Sequence, residues 1–397
     1  MKNKASTNMK TKMNIMFRSI IAAAVLALAT SGYCAGPITP VSPENGAVVP
    51  MLSDGQKAYF KMPRKERVAY FADKDCRKKM RSLRWYPKAT KLEWKGGKPG
   101  ASYKVAVKRA SDGKVAFSAT TKKTSVKVEN LEIATEYVWT VSDGSGELSA
   151  KFTTEDSAPR LLHIHGVPNF RDLGGRIGLG GRRVRQGMIY RSAGLNDNAR
   201  KKQVTQDVPG KPGKTTEKTI RTPGKNRLDD PTRAYLTDTL GIKTEIDLRS
   251  DKECYGMTGS PMGEKVRWLH YSSSAYAGMQ RDRGKKAFKK VFAVFLDEKN
   301  YPINFHCISG QDRTGSVAFI LNGLLGVPEE ELYLDWETTG FWNKSTDFCH
   351  SRRFNKLVDG FNEKVPGNNL HEKIENYVLA LGFTKDDIAK FRSIMLR

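Results

Sequence analysis

Between residues 90 and 153, hydrophobic and polar positions alternate in short runs. The candidate strands are 91–94, 102–108, 115–119, 125–128, 136–141 and 148–153, separated by turns at Lys95-Gly96-Gly97, Ser111-Asp112-Gly113 and Ser142-Asp143-Gly144. Strands at this spacing predict a β-sandwich, with Trp94 in its core. Upstream, 47–52 reads as a first strand. Residues 53–83 are mostly charged, with Tyr59, Phe60, Val68, Tyr70 and Phe71 spaced as in one or two short helices. The whole stretch 37–156 is read as one module, ending in a linker at 154–160.

From residue 157 to 397 the pattern changes. Short apolar runs at 161–164, 188–191, 242–248, 266–271 and 301–306 predict strands. Asp229-Asp230-Pro231 caps a helix reaching about residue 240, and 284–297 places Phe288, Val291, Phe292 and Phe295 on one helical face. The rest, from 316 on, reads as helices. Strands alternating with helices predict an α/β domain: a central, mostly parallel sheet flanked by helices. Residues 199–227 are polar and rich in Lys, Pro and Gly, and are expected to form a flexible basic loop.

One stretch carries chemistry: Tyr301 to Gly315, an apolar strand, a tight loop and a helix start. Cys307 opens the loop and Arg313 closes it, with five residues between them. Amides of such a loop and the positive end of the following helix converge on one centre, a cradle for an anion. The same field holds a cysteine at its mouth as thiolate. Arg313 offers a planar fork that matches two phosphate oxygens. A thiolate beneath a phosphate so held can carry out phosphoryl transfer through a phospho-cysteine. Ile308, Ser309, Gly310, Gln311 and Thr314 would line the cradle, Thr314 would donate to the departing sulfur, and His306 would orient the loop.

Composition narrows the setting. The net charge of +26 favours anionic partners, but no zinc-finger spacing or aromatic-interleaved basic motif marks a nucleic-acid site. Lys2, Lys4, Lys10, Lys12 and Arg18 precede a short apolar run at 20–28, the pattern of a secretory signal peptide within 1–35. Cleavage after Ala29 or Ala35 would give a secreted or periplasmic chain. Tyr33 fits a lipoprotein motif at Cys34 poorly, and no other run is long enough to span a bilayer. Of the remaining cysteines, Cys76, Cys254, Cys307 and Cys349, an exported chain could pair Cys254 with Cys349. Export would expose a reactive thiolate to oxidation. No cofactor or metal is expected.

His306-Cys307, followed after five residues by Arg313-Thr314-Gly315, resembles the signature of the cysteine-dependent tyrosine phosphatases. Asp312 before the Arg resembles a bacterial branch of tyrosine and lipid phosphatases. Three further motifs of that branch are similar here: Asn169-Phe170-Arg171-Asp172-Leu173-Gly174-Gly175, Tyr190-Arg191-Ser192-Ala193 and Ile246-Asp247-Leu248-Arg249-Ser250. The resemblance implies a phosphatase of phosphotyrosine-like monoesters, with Asp312 as the general acid; Asp282, in the stretch before the Phe288 helix, is the rival. Asp172 reads as structural, in a turn ending in Gly-Gly. Gln311 stands where the branch often has Lys, which weakens an alternative phosphoinositide or inositol phosphate reading. Residues 131–137 resemble the tyrosine corner of fibronectin type III domains, with Tyr137 as the corner residue and Ile133 in place of its proline. Such a module would serve docking, including a cell-surface partner, and a third reading makes the chain a binding protein with weak or no turnover.

Overall fold

The computed structural model describes residues 36–342 and 352–397, apart from 76, 77, 79–81, 84 and 99. The expected signal peptide with Cys34, and also Cys76 and Cys349, lie outside the described residues, and with them the expected cleavage site and the Cys254–Cys349 pairing. Cys254 is a buried free thiol that donates to Asp247 Oδ2 at 3.3 Å.

The chain opens with β1 (Gly36–Ser42) and β2 (Ala47–Val49), then α1 (Asp54–Lys61) and α2 (Arg64–Ala72). Six strands follow: β3 (Thr90–Gly97), β4 (Tyr103–Arg109), β5 (Val115–Thr121), β6 (Ser125–Val128), β7 (Glu136–Ser142) and β8 (Glu147–Thr154). They form two sheets, β1-β3-β6 and β2-β8-β7-β4-β5. Alternate residues of β4 and β7 turn inward, so Val105, Val107, Trp139 and Val141 meet Trp94 and Phe152 in one core. The Tyr137 hydroxyl accepts from the Glu132 N–H at 2.9 Å.

The helices α1 and α2 join a different core. Ser53 and Gln56 cap α1 reciprocally. Its Tyr59 sits edge-on to Phe341, 5.2 Å between centroids, inside the core of the C-terminal half. Arg67 of α2 pairs with Glu337 at 2.6 Å, both fully buried. The segment that the pattern groups with the sandwich therefore braces the C-terminal half.

That half contains β9 (Arg171–Asp172), β10 (Ile189–Ser192), β11 (Arg200–Asp207), β12 (Thr215–Thr222), α3 (Asp230–Ala234), β13 (Thr244–Asp247), β14 (Arg267–His270), α4 (Asp282–Phe295), β15 (Ile303–His306), α5 (Asp312–Leu324), α6 (Glu329–Glu337), α7 (Arg352–Lys364), α8 (Leu370–Ala380) and α9 (Lys385–Met395). Five strands form one sheet in the order β14-β13-β15-β10-β9. The first four are parallel and β9 is antiparallel at the edge. Every residue of β10, β13 and β15 is buried, as expected of strands covered on both faces. No described helix is long and apolar enough to cross a membrane.

Three local expectations change. The stretch 161–164 makes only isolated bridges, Leu161 to Arg171 and Ile164 to Val167. The helix after the loop begins at Asp312, four residues earlier than its apolar face shows, so Arg313 and Thr314 are helical. The insertion forms a hairpin, β11 against β12, instead of a flexible loop. Val204, Thr205, Thr215, Thr216, Thr219 and Ile220 supply β-branched residues to its strands, and Pro209-Gly210 with Pro212-Gly213 turns the chain.

Candidate active site

The loop that follows β15 lies at the carboxyl edge of the sheet, where parallel folds place ligands. Register puts Ser192, Asp247 and His306, the last residues of β10, β13 and β15, side by side at that edge. From there the chain runs through Cys307 to Gln311 and enters α5.

The loop's carbonyls are turned outward and held. Ile308 O accepts from the Gly194 N–H at 3.0 Å, Ser309 O from Asn169 Nδ2 at 2.9 Å, and Gly310 O from Arg191 Nη2. The amides of Ile308, Ser309 and Gly310 have no acceptor among the described residues. They and the first turn of α5 supply donors to the face opposite the bound carbonyls. Gly310 has φ +67, and a Cβ there would meet Ser192 O at 2.4 Å, so glycine alone permits this turn.

Cys307 is buried, 1% exposed, at the base of the loop. Burial opposes charge on both Arg191 and Arg313; Arg191 is left below its ordinary value, while Glu253 and the neighbouring Cys307 hold Arg313 above it. Arg313 is not an idle fork. Its Nη1 donates to Glu253 Oε2 at 2.7 Å and to Leu248 O at 3.3 Å, and its Nη2 to Glu253 Oε1 at 3.2 Å. A guanidinium has five N–H donors. Glu253 grips the end between the two Nη atoms, which leaves the Nε side, with one Nη2 hydrogen, as a second fork for an anion. Burial opposes charge on Glu253, but Arg313 and the Ser250 N–H outweigh it and hold the carboxyl below its ordinary value.

Asp312 begins α5 and accepts from the Tyr276 hydroxyl. Burial, then the Asp312 charge, pushes the Tyr276 phenol far up, so it stays a donor. Tyr276 has a left-handed backbone, φ +55, and its N–H donates to Ser316 Oγ at 2.8 Å. Asp282 stands exposed on the first turn of α4 and has no hydrogen bond to the loop. Gln311 stands at the N-cap position of α5 without a side-chain capping bond, and Ile308 in the loop is 38% exposed. Thr314 Oγ1 is buried without a hydrogen-bond partner among the described residues.

Beneath the loop lie two buried charge clusters. His306 Nε2 meets Glu245 Oε1 at 2.7 Å, and its Nδ1 lies 3.2 Å from Cys307 O and 4.0 Å from Asp247. Burial disfavours the imidazolium, but Asp247 and Glu245 outweigh it and raise the His306 pKa. Asp247 is also paired with Arg249 at 2.6 Å. Ligand atoms of Glu245, Asp247 and His306 lie within 4.8 Å of one another, a grouping these ion pairs explain without a metal. In the second cluster Asp335 of α6 accepts from Arg171, Arg176 and Arg191. Burial alone would raise its pKa; the three guanidiniums hold it well below the carboxylate range. Asp172 accepts from Arg160, Gly174 N and Gly187 N, in keeping with a structural role.

Sequence reasoning did not single out Glu253, Tyr276 or Asp335 as site residues. Only Glu253 carries a signal, an acid three residues beyond Ser250 in a motif already singled out.

A tyrosine-protein phosphatase of Nostoc commune is 30% identical over 145 residues, 28% of this chain and 45% of the relative. A Cupriavidus necator protein provisionally named a tyrosine-protein phosphatase is 27% identical over 194 residues, 43% of this chain and 59% of the relative. The chain thus spans about half the length of these curated relatives. Among solved structures, the core catalytic domain of an S. cerevisiae PP-IP phosphatase, in complex with citrate, matches at 13% identity and a TM-score of 0.25, covering 44% of this chain and 88% of that one; so distant a likeness carries no argument. The model of the tyrosine phosphatase family matches residues 162–209 and 206–397. On that match, which covers more than half of its length, the chain belongs to the tyrosine phosphatase family.

Proposed function

We propose that this protein is an exported phosphatase that hydrolyses phosphate monoesters of the phosphotyrosine type through a phospho-cysteine. The observation that supports the reading is the loop after Cys307, whose carbonyls are held by Gly194, Asn169 and Arg191 while the amides of Ile308, Ser309 and Gly310 have no acceptor among the described residues. The Cys307 thiolate attacks phosphorus, the ester P–O bond breaks, and Asp312 gives its proton to the leaving oxygen. Loop amides and Arg313 hold the equatorial oxygens as charge spreads. Water then attacks phosphorus, Asp312 takes its proton, and the sulfur leaves as thiolate, met by the unpartnered Thr314 hydroxyl. The domain 37–156, apart from its helices α1 and α2, is read as a fibronectin type III-like module, supported by its two sheets and the Tyr137 corner bond. Turnover of para-nitrophenyl phosphate under reducing conditions by wild type and by Cys307→Ser tests the mechanism: turnover that vanishes in the variant supports it, and turnover that survives rejects it.

A further inference from the structure

The hairpin of β11 and β12 is rooted on the loop. Its first stem leaves from Gly194, whose N–H donates to Ile308 O at 3.0 Å, and its second returns to Arg227, whose N–H donates to Leu195 O at 3.2 Å. The root also holds the segment that positions Arg313. The Ala199 N–H donates to Glu253 O at 2.9 Å, and Arg221 Nη1 to Lys252 O at 2.9 Å. Pro223, just past β12, lies so close to Gly256 that a Cβ there would meet its Cγ at 2.4 Å. Between Glu253 and Gly256 in the chain, Tyr255 is 51% exposed.

Beyond that root the ribbon stands by itself. It is a two-stranded sheet, and neither outer edge meets a third strand among the described residues. Alternate N–H and C=O groups of each strand face outward, where an extended chain can add a strand. A two-stranded ribbon has little stability of its own, so a third strand also reinforces it. Residues 200–222 hold seven Lys or Arg against two acids, Asp207 and Glu217. Directly opposed residues share a face, and the register divides the charges unequally. Both acids, Glu217 opposite Thr205 and Asp207 opposite Thr215, fall on the side of Lys201 and Arg221. The other side carries Arg200, Lys202 and Lys218 around half-buried Val204 and Ile220, with no acid from either strand.

Lysines along a free edge repel a second copy of the ribbon and admit a strand of opposite charge. The ribbon has no aromatic side chain on which bases could stack. Its tip, Val208 to Lys214, offers a bilayer no apolar side chain larger than valine. Its outward carbonyls need donors, which a peptide backbone supplies in register. Resting on the phosphatase reading, we infer that the ribbon is a docking arm for an acidic, extended segment of a phosphotyrosine protein. The segment pairs along a free edge, its carboxylates meet Lys202 and Lys218, and its phosphotyrosine lies over Cys307. Tyr255 gives it an aromatic side chain to pack on where arm and site join. The substrate class is then a phosphoprotein with an acidic run beside its phosphotyrosine.

The test is titration calorimetry on the full chain carrying Cys307→Ser, with and without Lys202→Glu plus Lys218→Glu, and circular dichroism to verify folding. The probes are a phosphotyrosine peptide with an acidic run, the same peptide with Asn and Gln for its Asp and Glu, phosphatidylcholine vesicles containing phosphatidylserine, and single-stranded DNA. Charge reversal should weaken the acidic peptide by roughly tenfold or more and its neutral counterpart by less than about twofold. Equal loss for both peptides, or none for the acidic one, overturns the arm, as does tighter binding of vesicles or DNA than of the acidic peptide. Strand pairing has its own readout, in two acidic peptides N-methylated at odd or at even positions of the run. At least one should bind roughly tenfold more weakly than the parent; if both bind like the parent, the edge is not paired and the arm is overturned. Binding is read without turnover, so a chain that docks the peptide yet hydrolyses nothing sinks the phosphatase reading and spares the arm. A phosphatase indifferent to the acidic run sinks the arm and spares that reading.

Discussion

In the proposed mechanism Arg313 meets two demands at once. Glu253 immobilises one end of its guanidinium and leaves the other end for an anion. A flexible arginine would lose rotamer freedom each time phosphate bound; one already gripped has lost it beforehand. Glu253→Gln keeps the shape and removes the charge. It should lower kcat/KM for para-nitrophenyl phosphate by roughly ten- to a hundredfold, as expected for one charge-assisted contact, with little change in Tm; unaltered kinetics would remove Glu253 from the account. Asp312 is tested by its pH–rate profile. Asp312→Asn should flatten the profile and cut kcat by roughly 10²- to 10⁴-fold. If that variant keeps the profile and Asp282→Asn loses it, the acid is Asp282.

At the scale of elements, three parallel strands end together and deliver their last residues under the loop. Asp247 from β13 and His306 from β15 form, with Glu245 and Arg249, a buried set of balanced charges. The His306 value is raised in the fold, so its imidazolium stabilises the protein fully below the unfolded value of about 6.5 and less as pH rises through the folded value. Wild-type Tm should therefore fall as pH is raised through and above neutrality. His306→Asn should lose that slope and cost roughly 3–5 kcal/mol, since two carboxylates remain buried with one partner fewer; urea melts across pH measure both. Asp247 has the opposite sign: its depressed value contributes stability above the unfolded carboxylate value, lost as pH falls through the folded one. The loop is legible in sequence because Cys307, Gly310 and Arg313 fall at fixed short spacing. Its supports are not, because their contacts cross the chain: Arg313 to Glu253 spans 60 residues, Tyr276 to Asp312 36, and Arg171 to Asp335 164. The hairpin β11–β12 escapes a composition reading because Lys, Pro and Gly outweigh the few β-branched residues of its strands.

For the whole molecule, the two halves share more than a linker. The helices α1 and α2 precede most of the sandwich in sequence, yet Tyr59 of α1 meets Phe341 and α2 packs on α6, the helix that carries Asp335 and through it Arg191 and the loop. Charged periodicity predicts helices at 53–83 but says nothing of which core takes Tyr59. Arg67→Met alone should destabilise the protein by roughly 3–5 kcal/mol by stranding buried Glu337, and Arg67→Met with Glu337→Leu should recover most of that loss. Equal denaturation midpoints for the single and double variants would show that the pair does not join the halves.

The central claim is that phosphate passes through one sulfur. Rapid acid quench of wild type during para-nitrophenyl phosphate turnover, followed by peptide mass spectrometry, reads it directly. The account predicts a phosphoryl group on the peptide bearing Cys307, absent from Cys307→Ser. Steady turnover with the phosphoryl group on another side chain would contradict it.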